Sequence, residues 1–133
     1  MNNKSKNIAV VTQDLFFLPR IQNIAEPNGY NVVRTVDLES FTKTYSQDDL
    51  ILVLIDLEGN SRVWKDILMF LSNQIVKFIV IGYGHHSDKN MLAEAETLGC
   101  DIALTKAKFS RDLIEIIRSQ GQSLIKNKNI VEN

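Results

Sequence analysis

A chain of 133 residues with 15 Lys plus Arg against 16 Asp plus Glu is nearly neutral and carries no block of like charge, so nothing draws it electrostatically to nucleic acid or an anionic membrane. The length suits one domain around a single core, without a second output domain. The lone Cys100 has no partner for an intramolecular disulfide, Met1 to Asn7 lacks the apolar core of a secretory signal, and the longest apolar run is far short of a membrane span; a soluble cytoplasmic protein is expected.

Ile8 to Val11 reads as a short buried strand ending at Thr12-Gln13-Asp14. Leu15 to Glu26 then carries a helical pattern in which Pro19 is tolerable only near the first turn. Pro27-Asn28-Gly29 is turn chemistry, and the β-branched stretch Tyr30 to Val36 predicts a second strand. Asp37 is placed to cap a short helix whose Leu38, Phe41 and Tyr45 share one face. Asp49 to Asp56 follows, a continuous apolar run with Ile51, Val53 and Ile55 between leucines, which suits a strand buried on both faces.

Beyond Gly59-Asn60, Ser61 is placed to cap the clearest helix, with Trp64, Ile67, Leu68 and Leu71 on one side. Phe78 to Ile81 predicts a fourth strand that breaks into the loop Gly82-Tyr83-Gly84-His85-His86. Ser87 or Asp88 caps the next helix, lined by Met91, Ala95 and Leu98 and ended by Gly99. Ile102 to Leu104 makes a fifth strand, Ser110 opens a last helix with Leu113, Ile116 and Ile117 inside, and Gly121 closes it. Residues 1–121 thus form one domain, and 122–133 a polar tail expected to fray or dock weakly.

Strands alternating with helices imply an α/β fold, a doubly wound five-stranded parallel sheet with helices on both faces, and the order 2-1-3-4-5 fits best. That order makes strands one and three neighbours, so Thr12, Gln13, Asp14 and Asp56 border one crevice at the carboxyl edge, flanked by Gly82 and Lys106.

From about Asn7 to Gln120 the chain resembles a response-regulator receiver domain of two-component signalling, one of the flavodoxin-like folds. Asp56 stands where the resemblance places the phosphoacceptor aspartate and Lys106 where it places the phosphoryl-contacting lysine. The acidic pair after strand one is replaced by Thr12 and Gln13, the hydroxyl after strand four by Gly82, the strand-five aromatic by Ala103 and the proline after the lysine by Ala107. Phosphoryl transfer to a carboxylate needs a divalent ion, and Asp56 with Asp14 makes a thin site for Mg²⁺. Asp14 is read first as a helix N-cap, and Lys106 first as the counter-ion of Asp56.

The resemblance therefore implies a pseudo-receiver. That is a stand-alone signalling or scaffold module acting by protein contact, without a cofactor, and not an enzyme. The alternative is a working phosphoacceptor with Asp56 phosphorylated and Mg²⁺ held by Asp14 and Asp56. The partner is an unidentified protein or a second copy, through helix four, strand five and helix five, where Arg111 and Arg118 face outward.

Other signals have plainer readings. His85 and His86 lack the companions of a zinc site and are expected in solvent. Gly82 and Gly84 offer backbone N–H groups for a small anion, the bolder alternative for that loop. The first loop lacks the glycine a flavin phosphate would want, no third glycine follows Gly82-x-Gly84 for a dinucleotide, and no Ser-His-Asp or Cys-His arrangement emerges. Phe16, Phe17, Trp64, Phe70 and Phe109 fit core positions better than partner anchors, and Cys100 fits a small buried hydrophobe.

Overall fold

The computed structural model describes residues 6–126. Strands β1 (Lys6–Val11), β2 (Tyr30–Thr35), β3 (Asp49–Asp56), β4 (Ile79–Gly84) and β5 (Ile102–Thr105) form one parallel sheet in the order β2-β1-β3-β4-β5. Between and after them run α1 (Leu18–Ala25), α2 (Leu38–Gln47), α3 (Ser61–Ser72), α4 (Lys89–Leu98) and α5 (Lys106–Arg118). The expected strand order is the one found.

Successive side chains on a strand point to opposite faces, so a run such as Leu52 to Ile55 feeds two cores at once. Leu52 and Leu54 join Ile8, Ile81, Phe109 and Ile116 on the face covered by α1 and α5. Val53 and Ile55 join Ala9, Phe41, Trp64 and Ile67 on the face covered by α2, α3 and α4. All four β3 residues are fully buried, which is why the strand reads as an unbroken apolar run. Among the described residues no helix is long and apolar enough to cross a membrane.

Capping explains most helix starts. Asp37 and Ser40 form a capping box on α2, the Asp37 carboxylate accepting from the Ser40 N–H at 2.8 Å. For α3 the cap is Asn60, which accepts from the Arg62 N–H at 3.0 Å, and Ser61 is already helical. Asp88 caps α4 by accepting from Met91 at 3.1 Å.

Four expectations are corrected. Helix α1 begins at Leu18 instead of Leu15, with Pro19 in its first turn and no side-chain cap, so Leu15 and Phe16 belong to an exposed loop. Helix α5 opens at Lys106 instead of Ser110, because the Thr105 hydroxyl accepts from the Lys108 N–H at 3.2 Å. Residues 122–126 make a further helical turn that buries Leu124 in the α1 and α5 core; the remainder of the tail lies outside the described residues.

The fourth correction concerns β4, which continues through Gly82 and Tyr83 to Gly84 instead of breaking at Gly82. Gly82 pairs with Ile55 on one side and Ala103 on the other, so it lies inside the sheet. Leu57, 1% exposed, folds back from the end of β3 onto this strand. A Cβ on Gly82 would lie 2.9 Å from Leu57 Cδ1 and 3.2 Å from Cys100 Sγ. Glycine is needed here for close approach, not for a turn.

Candidate functional site

Parallel pairing sets Val11 beside Ile55, so β1 and β3 discharge their chains into one crevice at the carboxyl edge of the sheet. Asp56, half-buried, ends β3 there. Its Oδ1 accepts from the Glu58 backbone N–H at 3.0 Å, and its Oδ2 lies 2.9 Å from the Thr12 hydroxyl. Thr12 is 5% exposed, and its hydroxyl also accepts from the Asp14 N–H at 3.0 Å. The Thr12 hydroxyl has one hydrogen for two acceptors, Asp56 Oδ2 and the Asp14 carbonyl at 2.8 Å; the charged oxygen makes the stronger bond. Arg34 on β2 pins the loop from behind, donating to the carbonyls of Thr12 at 3.1 Å and Gln13 at 3.3 Å.

Asp14 does not cap α1. Its Oδ1 accepts from the Phe16 N–H at 2.9 Å and closes a turn ahead of the helix. Its side chain reaches the crevice, as does that of Gln13.

Lys106 does not pair with Asp56. Its ammonium lies 2.8 Å from Glu58 Oε2, with both side chains about one-third exposed. The reason is local: Asp56 has donors on both oxygens, whereas Glu58, two residues on, reaches across to the start of α5. The hydrogen bond from Lys106 holds the Glu58 carboxyl below its usual range against a smaller opposing effect of burial, and the His85 backbone N–H adds to it. Reciprocally, Glu58 raises Lys106, with Asp56 and Asp14 adding weaker attraction from farther away. Glu58 is the site residue that sequence reasoning missed, since nothing in spacing links it to Lys106.

The crevice has a volume of about 350 Å³. It brings together Thr12, Gln13, Asp14, Asp56, Glu58 and Lys106 with Val36, Val63 and Trp64. Gly82 is not part of this lining; it faces Leu57 and Cys100. Tyr83 is the β4 residue level with Asp56, buried on the α1 and α5 face. Its ring stacks on Phe109 at 4.2 Å and meets Phe17 edge-on at 5.6 Å. Burial first, then the nearby Asp56 charge, pushes its phenol well above the usual tyrosine range. It stays neutral.

No protein-family model matches the chain, and no curated protein matches it by sequence. Solved structures match it in three dimensions. The receiver domain of the TMAO respiratory system response regulator TorR gives a TM-score of 0.74 at 18% identity, over 86% of this chain and 94% of that one. The chain has the receiver fold. A beryllofluoride-activated NtrC4 receiver domain dimer gives 0.70 at 17% identity, over 88% and 97%. A Burkholderia pseudomallei response regulator with a phosphorylated aspartic acid, calcium ion and citrate gives 0.71 at 16%, over 97% and 75%.

Within this receiver fold the donor set can be tested against Mg²⁺, which usually takes one or two carboxylates and several waters in a strict octahedron. One Asp56 oxygen is bonded to the Thr12 hydroxyl where the resemblance puts an acidic side chain, and Glu58 is engaged by Lys106. Among the described residues no three His, Cys, Asp or Glu side chains gather as metal ligands. The crevice thus offers the ion the carboxylates of Asp14 and Asp56, with one Asp56 oxygen already held by Thr12. On β5, Ala103 donates its N–H to Glu96 at 2.9 Å instead of offering an aromatic ring. His85 and His86 are exposed and stacked on each other at 4.4 Å.

Proposed function

We propose that the chain is a receiver-like signalling or scaffold module that works by protein contact and independently of phosphorylation. One observation carries this reading: the Thr12 hydroxyl bonds Asp56 at 2.9 Å, where a carboxylate pair would otherwise hold the ion that phosphoryl transfer requires. Lys106, the cation that would meet a phosphoryl group, is spent on Glu58. Beyond Asp56, Gly82 and Ala103 leave no hydroxyl and no aromatic ring to carry a response toward α4 and α5. No turnover chemistry is assigned to the module.

The proposed contact surface is α4, β5 and α5, for a second copy or another protein. Arg111 and Arg118 are exposed there, Arg111 is paired with Asp112 at 3.1 Å, and Ile114 is 47% exposed between them. Titrating beryllofluoride with Mg²⁺ while recording backbone amides tests the first part. Unchanged resonances at Asp56, Gly84 and Lys106 are expected, and saturable shifts there would install the phosphoacceptor alternative. Sedimentation of an Arg111→Glu, Arg118→Glu variant tests the second, with loss of association expected and unchanged association contradicting the assigned face.

A further inference from the structure

We propose that the crevice receives a basic side chain, an arginine, from a protein partner. The choice of a protein as its source rests on the protein-contact reading above. Three carboxylates, Asp14, Asp56 and Glu58, line the crevice against one ammonium, Lys106. Because Glu58 holds Lys106 at 2.8 Å, that ammonium is matched where it sits, and among the described residues Asp14 and Asp56 have no cation at hydrogen-bond distance. Asp56 meets only neutral donors, the Thr12 hydroxyl and the Glu58 amide. Arg34 on β2 donates to the Thr12 and Gln13 carbonyls and does not line the crevice.

The shape of the crevice agrees with its charge. Its volume of about 350 Å³ falls at the lower end of ligand-sized pockets. Val36, Val63 and Trp64 add apolar lining, suited to the methylene stem that basic side chains bury while the head group stays among polar atoms. Directly after Gln13 and Asp14 the chain exposes Leu15 at 56% and Phe16 at 77%, apolar surface beside the charged opening that flanking partner residues would cover. Arginine is favoured over lysine because its planar fork matches carboxylates and sheds water more readily.

The probe is N-acetylarginine amide, titrated into the isotope-labelled chain at low salt and compared with N-acetylcitrulline amide, which has nearly the same shape and no charge. The amides of Asp14, Asp56 and Lys106 and the indole N–H of Trp64 report occupancy. Saturable shifts are expected with arginine, weakening as NaCl is added. Affinity should fall at least about fivefold in Asp56→Asn, an isosteric change, and at least about fivefold for citrulline, as charge-assisted bonds are lost. Equal shifts with citrulline, shifts unchanged in Asp56→Asn, or Mg²⁺ alone saturating the same amides without competition from arginine would each overturn the proposal. Phosphodonor labelling of Asp56 would instead overturn phosphorylation independence and leave the arginine titration standing, so the two failures are distinguishable.

Discussion

Gly82→Ala places a methyl group inside the sheet where β4 meets Leu57. The new Cβ would sit 2.9 Å from Leu57 Cδ1, 3.2 Å from Leu57 Cγ and 3.2 Å from Cys100 Sγ, all on buried side chains. Overpacking of this kind costs about 1–3 kcal/mol. Replacing glycine in a regular element returns about 0.5–1 kcal/mol of backbone entropy, which leaves a net loss of about 0–2.5 kcal/mol, centred on about 1 kcal/mol. For a chain of this size the centre of that range lowers Tm by about 3–5 °C. Urea unfolding followed by circular dichroism measures it, with an unchanged slope marking a pure stability effect. The companion Gly84→Ala meets only the terminal Cε of half-buried Met91, at 2.6 Å, a flexible end that swings aside. It should cost less than about 0.5 kcal/mol, as overpacking relieved by a rotamer change does. In a Leu57→Ala background the penalty of Gly82→Ala should shrink to less than about half, as coupled neighbours require. A Gly82→Ala effect that is the same with and without Leu57 refutes the claim that Leu57 dictates glycine on β4.

Further outcomes follow from other parts of the molecule. Glu58 has a depressed pKa, chiefly through Lys106, so its contribution to stability is present above its ordinary 4.5 and is lost as pH falls through the lower folded value. Lys106 is raised, so its contribution is full below its ordinary 10.5 and is lost as pH climbs through the higher folded value. Stability curves of Glu58→Gln should therefore lie below wild type by about 0.2–1 kcal/mol at neutral pH and converge with it in acid, an offset that salt reduces; parallel curves at all pH values contradict the pair. Leu124→Ala should cost about 2–4 kcal/mol in urea because the side chain is 6% exposed in the α1 and α5 core, whereas a frayed tail would give no change. Cys100 is buried and its thiol is pushed up to about 12, first by burial and then by Asp101 and Glu96. Iodoacetamide at mildly alkaline pH should leave it unmodified in the native chain and label it in urea, and rapid native labelling is the contrary result.

The sheet order was legible because its central strands β1, β3 and β4 are buried on both faces, and because the apolar spacing of α3 matches one helical face from Trp64 to Leu71. The errors have two causes: packing between distant segments, and local turns and caps that override the apolar spacing. Gly82 and Gly84 punctuate most sequences, yet here they lie within β4 because Leu57 and Met91 occupy the space a side chain would take. Leu15 and Phe16 continue an apolar pattern, but Asp14 closes a turn that holds them out of α1. Strand ends and the resemblance pointed to Thr12, Gln13, Asp14, Asp56, Gly82 and Lys106 as neighbours; all but Gly82 line the crevice. Who bonds to whom was not legible: the Thr12 contact with Asp56 joins the loop after β1 to the end of β3, and the Glu58 contact with Lys106 joins the loop after β3 to the start of α5.

Mass spectrometry of the intact chain after incubation with acetyl phosphate and Mg²⁺, beside an Asp56→Asn control, addresses the state of Asp56 directly. An unmodified mass in both chains is predicted, because the Thr12 hydroxyl stands where a carboxylate would help hold the ion and Glu58 holds Lys106. A single phosphoryl adduct approaching one per chain, absent in Asp56→Asn, would contradict the account.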